Sequence, residues 1–304
     1  MLEAPDHSVV GTNELSIAEK FFSDFGMVVS SREELSASAS KIIYGLDGPR
    51  MQVMMRTPGA IPGIRLVETP HKTPVRDPLD TQGYTIDIYT RKMSDAVQYV
   101  ESKGYQALPL ARWELDGKSV EECRVLGPEG LSLVLIDGDI KRANIMDKDA
   151  TRNFSEIGAF VHLVHNANLD KDFWTKRGGL TELRNATFAG TPMVNMMNLP
   201  GPGLEMRFAL YWQGVDAVST AKVELVSCEL SPEGPLIPLL PLGAEFGPVA
   251  FTLNSPGARA FAQEMLDEIE HTAFIQANLE GEMRQVVRAV SPAGVAFELW
   301  CREN

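Results

Sequence analysis

Cysteine is scarce in this chain: three among 304 residues. Cys123, Cys228 and Cys301 lie far apart and form no C-x-x-C pair, which excludes a disulfide framework. Reduced thiols suit a cytoplasmic protein, and Cys123 and Cys301, on or beside predicted strands, read as buried and inert. Basic residues are also short. Lys and Arg total 28 against 41 Asp and Glu, a formal net charge of -13. That disfavours nucleic acid and anionic membrane surfaces, which both need clustered positive charge. No stretch approaches the roughly 20 apolar residues that span a bilayer. Met1–Ser8 carries acidic residues and no apolar run, so no secretory leader is expected. A glycine-rich phosphate loop is missing as well. The densest glycine cluster, Gly201-Pro202-Gly203, holds a proline, precedes no helix and suits a hairpin, so no nucleotide cofactor is expected.

Apolar residues make up 44% of the chain, enough for a sizeable core. Four times, an apolar strand runs into an amphipathic helix and then into further strands. The first unit reads as strand His7–Thr12, a helix from Ser16 to Phe25 stopped by Gly26, and strands at Met27–Ser31, Lys41–Leu46 and Met51–Arg56. A Pro/Gly-rich segment, 57–78, then crosses to the second unit. That unit has strand Tyr84–Tyr89, helix Ser94–Lys103 and strands near Ala107–Glu114, Ser119–Leu126 and Leu131–Ile136, followed by a polar linker, 137–152. The third unit has strand Phe160–His165, helix Leu169–Arg177 and strands Thr187–Met197 and Leu204–Trp212, with Ser231–Gly247 as a connecting loop. The fourth has strand Val249–Leu253, helix Gly257–His271 and strands Ala273–Asn278, Glu282–Val290 and Val295–Trp300. Helices alternate with groups of strands, not with single crossover strands, so the class is α+β.

Two units end in nearly the same phrase. Arg124 opens R-V-L-G-P-E-G-L-S-L-V-L and Arg288 opens R-A-V-S-P-A-G-V-A-F-E-L, which marks duplicated βαβββ modules. Val134 in one phrase stands where Glu298 stands in the other. Strand alternation puts Ala296, Glu298 and Trp300 on one face, and a lone glutamate in an apolar strand is costly to bury unless it is paired, liganded or protonated.

The opening D-H-S-V-V-G-T-N-E-L-S-I-A-E-K-F-F-S-D-F-G (Asp6–Gly26) and the closing S-P-A-G-V-A-F-E-L-W (Ser291–Trp300) resemble the vicinal oxygen chelate superfamily of glyoxalases, extradiol dioxygenases and bleomycin-resistance proteins. The resemblance covers nearly the whole chain. It implies four βαβββ modules forming two glyoxalase-like half-barrel sheets. An N-terminal domain of residues 1–145 (modules 1–78 and 79–145) and a C-terminal domain of 146–304 (modules 146–245 and 246–304) follow from chain order. Metal-using members hold ligands on the first and last strands of paired modules. Carried over, these positions fall on His7, Tyr84, Ala159 and Pro248 on first strands, and on Val134 and Glu298 on last strands; unit one offers Gln52 or Met54. Two His and one Glu are therefore not assembled in either sequential pair. A pairing of unit one with unit four, as in ring-cleaving dioxygenases of the chlorohydroquinone type, would bring His7 and Glu298 into one cavity.

The resemblance thus implies a small-molecule enzyme of lyase, isomerase or ring-cleaving dioxygenase type acting on an oxygenated aromatic or dicarbonyl-like compound. The alternative is a metal-free binding protein that sequesters a small molecule, and a third reading is a homologue whose cavity its own side chains fill. Glu298 and His7 are the candidate catalytic groups and candidate ligands for Fe, Mn, Zn or Ni, with the third ligand missing. Tyr84 is a candidate for orienting substrate, and Trp300, Trp212 and Tyr211 are candidates for lining the cavity, although strand aromatics ordinarily pack in cores. His71 and His271 read as solvated. A homodimer is compatible with this reading.

Overall fold

The computed structural model describes residues 1–70, 82–115, 117–138, 143–189, 195–198, 205–213, 221–228 and 241–302. His71, the Gly201-Pro202-Gly203 cluster and most of the segment 231–247 lie outside them.

Unit one comprises β1 (Pro5–Thr12), α1 (Leu15–Asp24), β2 (Val28–Leu35), α2 (Ala37–Tyr44), β3 (Arg50–Arg56) and β4 (Gly63–Glu68). Unit two comprises β5 (Gln82–Thr90), α3 (Met93–Ser102), β6 (Gln106–Ala107), β7 (Ala111–Leu115), β8 (Lys118–Leu126) and β9 (Ser132–Gly138). A single turn, α4 (Ile145–Lys148), leads into unit three: β10 (Phe154–Leu163), a tight 3₁₀ turn at Ala167–Asp170 and a wide π-helical turn at Phe173–Arg177, then β11 (Thr181–Ala189), β12 (Glu205–Trp212) and β13 (Lys222–Cys228). Unit four comprises β14 (Phe246–Leu253), α5 (Ala258–Met265), β15 (Ile275–Leu279), β16 (Glu282–Val290) and β17 (Ala296–Arg302). The architecture is α+β, four such units in two curved sheets.

Chain order does not set how the units combine. Sheet I runs β15-β16-β17-β14-β1-β4-β3-β2 and so joins unit one to unit four. Sheet II runs β11-β12-β13-β10-β5-β9-β8-β6, with β7 also on β8, and joins unit two to unit three. The division at residue 145 therefore cuts across both sheets. All four first strands are apolar and of similar length, and their periodicity says nothing about which two lie side by side.

The sequence expectation also fails at Lys41–Leu46, which is the end of helix α2 and not a strand. Ser36 caps this helix by accepting from the Ala39 amide, and Gly45 ends it at φ 67°, the left-handed region that glycine enters without steric cost. The last strand of unit one is consequently β4, inside the segment read as a crossing loop. In unit three the helix expected at Leu169–Arg177 is split into a 3₁₀ turn and a π-helical turn, β11 begins six residues before the predicted Thr187, and β13 lies in a stretch with no predicted element.

One core, containing Phe21, Phe22, Phe25, Trp174, Phe251 and Phe297, packs the helices against the outer faces of both sheets. Smaller clusters fill the concave faces. In sheet I the far edges nearly meet. Gln52 donates to the Asn278 carbonyl (3.0 Å), Ser30 to Glu280 (2.7 Å), and Arg56 pairs with Glu280 (2.6 Å), so this sheet approaches a closed barrel. Where the sheets touch, a Cβ on Gly83 would sit 2.7 Å from the Phe246 carbonyl, an approach that only glycine permits.

Asp170 stitches unit three to unit four. Its buried carboxylate accepts from Trp174 Nε1 (2.9 Å), Ser291 Oγ (2.6 Å) and the Ala293 amide (2.7 Å). Asp170→Ala leaves three buried donors without an acceptor and is expected to cost about 3 kcal/mol in urea unfolding. A loss under about 1 kcal/mol would show that the stitch is not structural.

Candidate functional site

Register aligns the two sheets position by position. In sheet I, His7 pairs with Ala250, Ala250 with Glu298, and Val9 with Arg65. In sheet II, Ala159 pairs with Asp87, Asp87 with Val134, and Val161 with Glu224. Arg288 pairs with Glu298 and Arg124 with Val134, so the two matching phrases are equivalent in space. Four inward positions thus correspond: His7 with Ala159, Arg65 with Glu224, Ala250 with Asp87, and Glu298 with Val134.

Sheet I brings His7 and Glu298 into one compartment, but that compartment is filled. Glu298 is fully buried. Its Oε1 accepts from the Tyr44 hydroxyl (2.6 Å), and its Oε2 accepts from Arg65 Nη2 (2.5 Å) and Trp300 Nε1 (2.7 Å). The Arg65 guanidinium, itself 1% exposed, also donates to the Tyr44 hydroxyl and lies 4.5 Å from the centre of the Trp300 ring. Arg288 reaches from the repeat phrase to the Ile43 carbonyl (3.3 Å) at the end of α2. Helix α2 delivers Tyr44, Ile43 and Leu46 into the concave face.

His7 is buried, and its ring nitrogen Nδ1 lies 2.6 Å from Asp6 Oδ2. Burial lowers the His7 pKa despite Asp6. Against the upward pull of burial, the bonds and charges of His7 and Arg56 hold Asp6 down at about 2. With Asp6 as the acceptor, His7 donates through Nδ1.

A divalent cation does not fit this set. Both Glu298 oxygens are engaged, and a guanidinium already stands beside the carboxylate, lowering the His7 pKa by its charge as a metal would. The three residues named together from the sequence are also split, because Tyr84 lies in sheet II. Among the described residues, no group of three or more His, Cys, Asp or Glu is arranged to hold a metal ion.

Sheet II holds a cavity of about 100 Å³ on its concave face. Tyr84, Tyr89, Trp113 and Phe208 give it aromatic walls, Met196 and Met197 cover it, and Val134 and Ile136 form part of its floor. Three carboxylates enter it: Asp87 on β5, Glu122 on β8 and Glu224 on β13, with Lys222 on the same wall. Asp87 and Glu224 are in hydrogen-bonding contact. Burial, and next the Glu224 charge, raise the Asp87 pKa well above the carboxylate range. Burial also raises Glu224, and burial with the Glu224 charge pushes Glu122 up to about 8. Two carboxyl groups in contact cannot both ionise cheaply, so each raises the cost of ionising the other, with Lys222 opposing the shift.

The remaining sequence candidates scatter. Tyr84 lines the cavity, and its hydroxyl donates to the Met197 carbonyl while accepting from Arg124. Trp300 is sealed in sheet I. Tyr211 is buried in the shared core behind sheet II, because alternation along β12 turns Phe208 and Leu210 inward and Tyr211 outward. Trp212 is half-buried and does not line the cavity. Neither His162 nor His165 lines it; burial lowers His162 to about 4. A second recess beside Asp6 is polar, and its Asp6, Glu280, Glu282 and Arg284 charges are paired, Asp6 and Glu280 with Arg56, and Glu282 with Arg284.

Sequence reading missed Asp87, Glu122 and Glu224. An extra residue bulges β5 at Tyr84, since Thr85 and Gly83 pair with the consecutive residues Val161 and His162. The first-strand position opposite Ala159 is therefore Asp87, three residues beyond Tyr84. In β14 the equivalent position is Ala250, two beyond Pro248, and in unit one the last-strand position is Arg65 rather than Gln52 or Met54. The signal that was available is one carboxylate per strand within apolar alternation, in I-D-I around Asp87 and V-E-L around Glu224.

No protein-family model and no curated protein matches the chain. Solved structures do. Glyoxalase I from Zea mays superimposes with a TM-score of 0.64 at 15% identity, over 98% of this chain and 92% of that one. A Bacillus subtilis protein provisionally assigned as a dioxygenase gives 0.65 at 12% identity, over 100% of this chain and 86% of that one. These likenesses show that the described residues have a glyoxalase-like fold of the vicinal oxygen chelate type. Among the described residues no helix is long and apolar enough to cross a membrane.

Two measurements check this assignment of roles. Glu298→Gln strands the buried Arg65 charge and is expected to cost about 3–5 kcal/mol, while the pair Arg65→Met with Glu298→Leu recovers at least half of it; a neutral Glu298→Gln would contradict a structural pair. Glu122 has a folded-state pKa above its unfolded value. Folding therefore takes up a proton between about pH 4.5 and 8, and stability falls as pH rises through that window. Glu122→Gln should raise the Tm at pH 8 and flatten the Tm–pH curve; an unchanged curve would show that Glu122 is not held protonated.

Proposed function

We propose that the chain is a small-molecule enzyme whose chemistry is proton transfer in the sheet II cavity, of lyase or isomerase type. The carrying observation is the contact between Asp87 and Glu224 inside a concavity whose walls are largely aromatic and aliphatic, with Glu122 and Lys222 beside them. A proton shared by two buried carboxyls would leave one group as base and its partner as acid, the pairing that general acid–base catalysis uses. Glu122, held near 8, is a second acid within the same space. The aromatic walls suit a one-ring or dicarbonyl-like oxygenated substrate, and the fold shared with glyoxalase I from Zea mays supports that class. Tyr84 anchors the covering Met197 backbone through its hydroxyl, so its role is to position the cavity's cover.

A second reading has its own support. Met196 and Met197 are adaptable side chains lying against the cavity, which favours a protein that binds and sequesters a small molecule without turning it over.

Deuterium exchange into a panel of α-hydroxyketones, dicarbonyls and substituted phenols, followed by NMR, separates the two. Turnover predicts exchange of at least one compound, reduced about a hundredfold or more in Asp87→Asn and in Glu224→Gln, in line with the usual worth of a positioned acid or base. Thermal stabilisation by panel members without exchange, unchanged in Asp87→Asn, would overturn the catalytic reading in favour of sequestration.

A further inference from the structure

The two sheets carry a like set of inward positions but different charges, and the difference indicates what the open one takes. In sheet I the carboxylate Glu298 is satisfied from within the chain. Its partner is a planar cation, the Arg65 guanidinium, laid against an aromatic ring and closed over by a hydroxyl from α2. In sheet II the position of Arg65 is occupied by Glu224, and the neighbouring first strand adds Asp87 where sheet I has Ala250. Glu122 brings a third acid from β8. Lys222 stands on the same wall as these three acids, and the Arg124 guanidinium is held over the Tyr84 ring, 4.0 Å from its centre. The cavity is therefore an acidic counterpart of a space that, one sheet away, is filled by a stacked guanidinium.

From this pairing we infer that sheet II binds a small planar cation, an amidinium, guanidinium or protonated aromatic amine, with its charged edge on Asp87 and Glu224 and its ring among Tyr89, Trp113 and Phe208. The chain displays the recognition geometry internally: a charge-assisted hydrogen bond to a carboxylate combined with a cation on an aromatic face. Such a ligand does what protons do in the empty cavity, since it neutralises carboxylates that are buried beside one another. The cavity of about 100 Å³ is about two-thirds of the roughly 150 Å³ apolar cavity that admits benzene, so it takes the charged edge and part of one ring, the rest lying at its mouth. The inference rests on the sheet II cavity being the site, and it names the chemistry of that site's ligand.

The test uses the full chain and three probes of nearly the same shape: benzamidine, benzamide and benzoate. Isothermal titration at pH 7.5 should give benzamidine a Kd at least tenfold below that of benzamide, with benzoate weakest. In Asp87→Asn combined with Glu224→Gln, which preserves shape and removes the charge, the preference should fall to threefold or less. Equal or tighter binding of benzamide or benzoate by the native chain would overturn the inference, and so would the absence of binding by all three. The native ranking needs no variant to fold. Should benzamide bind as tightly as benzamidine, loss of that binding on filling the cavity with Val134→Phe would keep the cavity as the site while removing the cation. Tight benzamidine binding without proton exchange in the compound panel would do the reverse, sparing this inference and removing the catalytic reading.

Discussion

A charge placed inside a curved sheet needs a partner, and the Arg65–Glu298 pair is how one half of this molecule supplies it. The cost of desolvating two full charges is recovered only when every lone pair and N–H edge in contact is used well. Tyr44, Trp300 and the ring stacking provide that environment, and α2 exists in the sequence to deliver Tyr44. Once this cluster is in place, sheet I closes at its edges and becomes a scaffold. The ability to accept a molecule from solution passes to sheet II, where no guanidinium stands at the corresponding position.

The functional reading follows from that asymmetry. Duplication supplied equivalent positions; substitution at four of them separated a sealed barrel from an open one. In sheet I opposite charges meet and cancel. In sheet II acidic groups meet, and burial beside one another raises their pKa values. The same fold thus carries one half whose charges are paired within the chain and one half whose acids line a cavity, and the difference lies in side chains rather than in topology.

Much of the fold was legible because it depends on local pattern. Strand–helix–strand periodicity and the repeated phrases beginning at Arg124 and Arg288 revealed the four units, and alternation put Glu298 and Trp300 on one face, where the structure has them. The site was legible only in part. Glu298 was visible as an exception in an apolar strand, yet its partner Arg65 lay in a segment whose prolines and glycines read as loop. Asp87 was displaced by a bulge at Tyr84, which shifts register without leaving a mark in composition. Glu224 sits on a strand whose surroundings gave no turn signal. Which unit pairs with which is a long-range property that no window of sequence contains.

The nesting of the units has a consequence for how the chain reaches this state. Units two and three are neighbours in sequence and complete their sheet between themselves, whereas β1 must find β14 more than two hundred residues away. As the polypeptide leaves the ribosome, the inner sheet is complete while unit one still waits with its apolar edge unpaired. Closing that long loop costs only slowly growing entropy, but contacts of such high sequence separation form late. The final strands therefore act as the clasp of the whole assembly, and a chain shortened at its C-terminal end would lose the sealed barrel before the sheet II cavity.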